Sequence, residues 1–101
     1  MMGKVQGDKQ PDTVEIYVAA FCGYCTRACA LLDKYGVTYT VISLDDEPRR
    51  RVEMIERSRG KRSVPQIFIK GKHVGGCDDL YMLHEQQKLQ VLFTDDDTTE
   101  T

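Results

Sequence analysis

No stretch of the 101 residues is apolar for long enough to cross a bilayer, and no segment repeats another. Residues 1–11 lack the apolar core of a secretory leader and the arginine-rich, acid-poor make-up of a transit peptide, so a cytoplasmic protein is expected. Only one Cys-x-x-Cys pair is present, where structural zinc modules usually bring two knuckles together. There is little of a disulfide framework either: Cys22, Cys25 and Cys29 crowd within eight positions and Cys77 stands alone, a clustering that suits catalysis or metal better than stapling. Net charge is only −2, although residues 49–72 hold nine of the fourteen Lys and Arg residues against two acids, Glu53 and Glu56. No aromatic platform accompanies that basic stretch, so a nucleic-acid partner is not expected and most of these charges read as solvated helix face.

What the chain does have is dense pattern. Hydrophobic residues make up 41% and charged residues 30%, a balance that suits one globular domain. Residues 1–12 and the acidic 94–101 read as flexible flanks of a domain spanning 13–93. Within it, 13–18 is rich in β-branched residues and reads as a strand, its apolar character running on to Phe21. Cys25, Ala28, Cys29 and Leu32 then fall on one helical face that ends at Gly36. Residues 37–44 read as a second strand, Asp45, Asp46 and Pro48 as a helix start, and 64–69 as a third strand joined by a Lys70-Gly71-Lys72 turn to His73 and Val74. Asp78 or Asp79 caps a last helix over 80–89. The order β-α-β-α-β-β-α predicts an α/β fold: a mixed four-stranded sheet, with a parallel pair at its start, flanked by helices.

Three segments carry chemistry. Cys22-Gly23-Tyr24-Cys25 follows directly on the first strand; if the helix begins at Gly23, Cys22 lies where free N–H groups and the helix dipole favour a thiolate, with a resolving thiol one turn away. Pro65 in Ser63-Val64-Pro65 begins a strand, where its missing N–H is tolerated; a cis bond would hold the Val64 backbone outward for an extended ligand, whereas a trans proline would merely start the strand. Gly75-Gly76-Cys77-Asp78-Asp79 brings glycines to a helix start, reading either as an ordinary turn or as a nest of N–H groups for a carboxylate, with Asp78 placed for an ammonium.

Together these segments resemble the motifs of glutaredoxins, over residues 13–93, with the bacterial dithiol members nearest in pattern. The resemblance implies a thioredoxin-like fold and a glutathione-dependent thiol–disulfide oxidoreductase, with glutathione as cosubstrate and glutathionylated or disulfide-bearing proteins as partners. It implies Cys22 as nucleophile and Cys25 as resolving thiol, and a cis Val64-Pro65 bond. It also implies Val64 paired with the cysteinyl part of glutathione, Gly76, Cys77 and Asp78 at its γ-glutamyl end, and Tyr24 walling the groove. Two departures stand out. Many members have Pro at Gly23, and a Lys at Ala19 that assists the thiolate and binds the glycine carboxylate; Arg62, beside Ser63, and Arg51 are the candidates to replace that charge. Members with Gly or Ser in place of the proline can hold a [2Fe-2S] cluster between two protomers, ligated by the first cysteine and a glutathione from each. The alternative function is therefore a cluster-bridged dimer using Cys22, against a monomer otherwise. The remote alternative is a zinc site drawing on Cys22, Cys25, Cys29 or Cys77 with His73 or His84. Cys29, Met54 and Met82 read as core, and the two histidines as surface or half-buried.

Overall fold

The computed structural model describes residues 14–93, so the expected flanks at 1–12 and 94–101 lie outside it. The elements are β1 (Val14–Val18), α1 (Gly23–Lys34), β2 (Tyr39–Ser43), α2 (Arg50–Arg57), β3 (Gln66–Ile69), β4 (Lys72–Gly75), α3 (Cys77–Glu85) and α4 (Leu89–Phe93). The sheet order is β2-β1-β3-β4, with β1 parallel to β2 and antiparallel to β3, and β3 antiparallel to β4. No helix of the described residues is long and apolar enough to cross a membrane.

Both faces of this sheet are covered, which explains why its central strands carry apolar residues at nearly every position. Val14 and Ile16 of β1 with Ile67 and Ile69 of β3 meet Ala28, Leu31 and Leu32 of α1, Leu80 of α3 and Leu89 of α4. On the opposite face Tyr17 and Phe68 meet Ile42, Leu44 and Met54, so α2 closes the second layer. Met54 is fully buried there, and truncating such a residue to alanine costs about 2–5 kcal/mol.

Several expectations are corrected. The first strand stops at Val18, and Ala20 and Phe21 are exposed rather than buried. Phe21 has φ 56°, a conformation that a strand cannot continue through, and an Asp45 carboxylate accepts the Ala20 N–H to hold this connection. The last helix is two helices, because Gln87 turns left-handed at φ 61°. Its N–H donates to the His84 carbonyl at 3.0 Å and that of Lys88 to the Leu83 carbonyl at 2.9 Å, a Schellman end that no glycine announces. The cap of α3 is Gly76, not Asp78 or Asp79; Asp79 acts from inside the helix, accepting the Gly76 N–H at 3.0 Å. Met82 is exposed, since the buried face of α3 runs through Cys77 and Leu80.

The charges of α2 are tied down locally. Arg57 bridges to Glu15 at 2.7 Å and donates to the Tyr17 hydroxyl at 2.9 Å, with its guanidinium 4.1 Å over the Phe68 ring. Tyr17 donates in turn to Glu53 at 2.5 Å, and Arg50 also reaches Glu53 at 2.8 Å. The Arg50 hydrogen bond and then that of Tyr17 hold the Glu53 carboxyl below the usual carboxylate range. A depressed carboxylate stabilises the fold above its unfolded pKa and loses that contribution as pH falls through its folded value. Glu53→Gln is thus expected to lower the urea midpoint at pH 7 and to match the parent protein near pH 3; an equal loss at both pH values would contradict the charged network. Tyr17→Phe should cost about 1–2 kcal/mol at pH 7, since it strips partners from both Arg57 and Glu53.

Candidate active site

Cys22 is the N-cap of α1. Its backbone is extended at φ −111° and ψ 107°, its carbonyl accepts from Thr26, and its Sγ accepts the Cys25 N–H at 3.2 Å. The same sulfur lies 3.9 Å from the Val64 carbonyl, to which its S–H donates. The helix begins at Gly23, as the residue pattern predicts, because Cys22 supplies an acceptor in the place where Ser or Asp would ordinarily stand. Cys22 is half-buried, while Cys25 is only 5% exposed. Burial first, and then hydrogen bonding to Cys22, push the Cys25 thiol up to about 12. One thiol of the pair is therefore accessible and the other is kept protonated beneath it. All four cysteines are unpaired.

Beside Cys22 lies a groove of about 540 Å³. Tyr24, Ser63, Val64, Pro65, Gly76, Cys77 and Asp78 all line it, so the loop before β3 and the start of α3 meet there. The Val64-Pro65 bond is cis. Gly75 has φ 127°, and a Cβ on it would lie 2.2 Å from the Asp79 carboxylate, so glycine is required at that point of the wall. The N–H groups of Cys77 and Asp78, as at any helix start, have no partner within the helix. Cys77 is buried, and burial raises its thiol.

Of the two arginines put forward to replace a lysine at Ala19, neither lines the groove. Arg51 donates to the Arg62 carbonyl at 2.6 Å, and Arg62 is exposed. The basic residue on the groove is Lys61, whose main chain is clamped by the buried Ser58: the Lys61 N–H donates to Ser58 Oγ at 3.1 Å and that hydroxyl donates to the Lys61 carbonyl at 3.2 Å. Asp79, part of the predicted Gly75–Asp79 nest, lines the groove as well, and so do Gln66 and His73, which no sequence motif places there. Lys61 had a signal, a basic residue two positions before Ser63; Gln66 and His73 had none, because their roles come from strand pairing.

A second, shallower groove runs along the other side of α1, past Phe21, Cys22, Cys25, Cys29 and Val41. Cys29 is half-buried there, and burial raises its thiol, so it serves as a packing residue partly open to this groove. Among the described residues no group of three or more His, Cys, Asp or Glu side chains is placed to hold a metal ion, so the zinc alternative finds no ligand set. His84 instead shares a 2.6 Å hydrogen bond with Tyr35, far along α1 from Cys22.

The difference in burial has a direct chemical readout. With the reduced protein at pH 8, limiting iodoacetamide is expected to modify Cys22 at least about tenfold faster than Cys25 or Cys77, as peptide mass mapping would show. Comparable labelling of Cys25 would contradict the shielding.

Known proteins share this arrangement. A family model described as glutaredoxin matches residues 14–74. Glutaredoxin 3 of Escherichia coli is 49% identical over 79 residues, covering 78% of this chain and 94% of that protein. The solution structure of a glutaredoxin from Brucella melitensis superposes with a TM-score of 0.71 at 45% identity, covering 86% of this chain and 94% of that one. The crystal structure of a buckwheat glutaredoxin–glutathione complex gives a TM-score of 0.73 at 33% identity, over 80% and 76% of the two chains. With a thioredoxin-like sheet, a capping thiol over a buried one and a groove beside them, the chain belongs to the glutaredoxin family and is a glutathione-dependent thiol–disulfide oxidoreductase.

Proposed function

We propose that Cys22 is the nucleophile and that the groove lined by Tyr24, Ser63, Val64, Pro65, Gly76, Cys77 and Asp78 receives glutathione. The observation that carries this reading is the position of Cys22 Sγ, which caps α1 and reaches the Val64 carbonyl at the edge of the groove. The Cys22 thiolate attacks the glutathione sulfur of a protein–glutathione mixed disulfide. A sulfur–sulfur bond forms to Cys22, and the protein leaves as its thiolate and takes up a proton. The thiolate of a second glutathione then attacks the Cys22 adduct, releasing glutathione disulfide and restoring Cys22. When a protein disulfide is attacked instead, Cys25 gives up its proton and closes on Cys22, expelling the second protein thiol. Two glutathiones later reduce that internal bond. The high Cys25 value suits this order of events, because a buried neutral thiol does not compete with Cys22 for the first attack.

At the γ-glutamyl end of the groove, the N–H groups of Cys77 and Asp78 offer donors to the α-carboxylate and the Asp78 carboxylate accepts from the α-ammonium. At the glycyl end, Lys61 supplies the cation absent at Ala19, a role its place on the groove supports better than that of Arg62 or Arg51. The same reading gives a monomer in the cytoplasm, where a glutathione pool turns such dithiols over. Cys22→Ser is expected to abolish reduction of a glutathionylated peptide, whereas Cys25→Ser should keep more than about half the activity, because only the dithiol route needs the second sulfur. An active Cys22 variant beside a dead Cys25 variant would reverse the roles.

A second state is favoured by Gly23. A Cβ there would touch nothing within 4 Å, so packing does not demand glycine, and what glycine contributes is a further N–H beside Cys22 where proline would offer none. Sulfur atoms of a [2Fe-2S] cluster accept such hydrogen bonds. Among the described residues Cys22 is the accessible thiol at that place, with Cys25 buried beneath it, so a cluster would need a second protomer and thiolates from two glutathiones. Anaerobically isolated protein is expected to be a brown dimer when glutathione is present and a colourless monomer without it, by visible absorption and gel filtration. A colourless monomer under both conditions would exclude the cluster state.

A further inference from the structure

Gln66 is the one polar side chain of the groove that folding has fully enclosed: it is 3% exposed. A buried amide must satisfy both its ends. Its Nε2 donates to the Ser63 carbonyl at 3.0 Å and approaches Ser63 Oγ at 3.5 Å. Since a carbonyl can only accept, the amide orientation is settled and Oε1 is the free acceptor. That oxygen lies 2.6 Å from His73 Nε2. The imidazole must then carry its hydrogen on Nε2, which it does in the imidazolium and in one of the two neutral tautomers. His73 is itself fixed by its ring, 5.0 Å from that of Phe68 and tilted by 37°. Strand pairing brings the two residues together, because Phe68 faces His73 across the β3–β4 ladder. Ser63 is followed by Val64, whose carbonyl meets Cys22.

We propose, on the reading of Ser63-Val64-Pro65 as the edge that receives glutathione, that His73 is a positioning residue for the reaction, acting through Gln66 to hold that edge at its distance from Cys22. His73 donates to Gln66, Gln66 donates to Ser63, and the Ser63 carbonyl fixes the segment in register. No other residue among the described hydrogen bonds takes the Gln66 oxygen. Loss of the His73 N–H leaves that oxygen buried without a donor, and the amide then turns or shifts, releasing Ser63. The effect falls on binding of the glutathionyl group, not on sulfur exchange, because the hydrogen bonds of Gln66 and His73 run to Ser63 and to each other and those of Cys22 to Val64, Cys25 and Thr26.

The test uses His73→Phe, which keeps a flat ring against Phe68 and removes the donor, Gln66→Leu, and the double variant, each assayed with a glutathionylated peptide. Each single variant is expected to raise KM about fivefold with kcat within about twofold of the parent, as loss of a buried hydrogen bond to a binding edge predicts. Because the two act in series, the double variant should be no worse than Gln66→Leu alone. Additive losses would mean that His73 meets the substrate independently, and would overturn the relay. His73→Gln, which retains a side-chain N–H, should recover most of the KM. Long-range proton–nitrogen spectra of the neutral parent protein should show His73 with its hydrogen on Nε2; the Nδ1–H tautomer would also overturn the relay. Asp78→Ala provides the separating arm. If it raises KM while His73→Phe does not, the relay fails and the glutathione groove stands; if neither changes KM, the groove assignment fails and the relay with it.

Discussion

Everything at the active site depends on one hydrogen bond, that from the Cys25 N–H to the Cys22 sulfur. A helix needs an acceptor at its start, and here the acceptor is also the more accessible thiol of the pair. The cap therefore fixes the place of the Cys22 sulfur as a by-product of helix formation. It also orders the two thiols by burial, since a residue three positions beyond the cap falls on the inner face of α1. The Cys25 sulfur enters the core together with Ala28 and Leu32, while Cys22 stays at the rim. The asymmetry between an accessible and a buried thiol thus follows from helical periodicity and needs no separate device.

The sheet supplies the second half of the site. Because β1 sits between β2 and β3, the carboxyl end of β1 delivers Cys22 next to the segment that leads into β3. The Ser63-Val64-Pro65 edge, the Cys22 cap and the start of α3 are three chain segments far apart in sequence. They converge because β1 and β3 are neighbours and because β4 turns back directly into α3. Lys70 and Gly71 make the β3–β4 turn tight: both have positive φ, at 55° and 79°, which matches the two-residue turn to the twist of the strands.

Much of this is legible from residue order alone. Strands with alternating or continuous apolar character, Gly36 past the end of α1 and the Lys-Gly hairpin turn are local signals, and they lead to four strands with a parallel first pair and an antiparallel hairpin. The Cys22 cap is legible because a Cys-x-x-Cys pair directly after a strand has few other geometries open to it. What escapes is of two kinds. Helix ends built on a non-glycine residue in the left-handed region, such as Gln87, carry no mark in composition, so α3 and α4 read as one helix. Side chains whose partners lie across a ladder are equally silent: Gln66 and His73 are ordinary strand residues until register sets them side by side. Met82 reads as core because its spacing fits one helical face, but α3 is only nine residues long and turns its other side to the sheet. Adjacency to Ser63 favours Arg62 over Lys61 in the sequence, but it says nothing of the direction in which a loop presents each side chain.

Gly75 carries one more implication. The space its side chain would fill is taken by the Asp79 carboxylate, and the neighbouring Gly76 is likewise bare, so at this point the groove wall is largely main chain, with Asp78 beside it. The part of that surface made of peptide groups is not eroded by replacing one side chain at a time, since every non-proline residue presents the same N–H and C=O. Drift in sequence can reshape the rim, the exposed second groove and the charge of α2 while this wall keeps its chemistry, provided Gly75, Gly76, Asp78 and Asp79 stay. Preference among protein substrates is in that sense free to evolve separately from recognition of the small thiol they share.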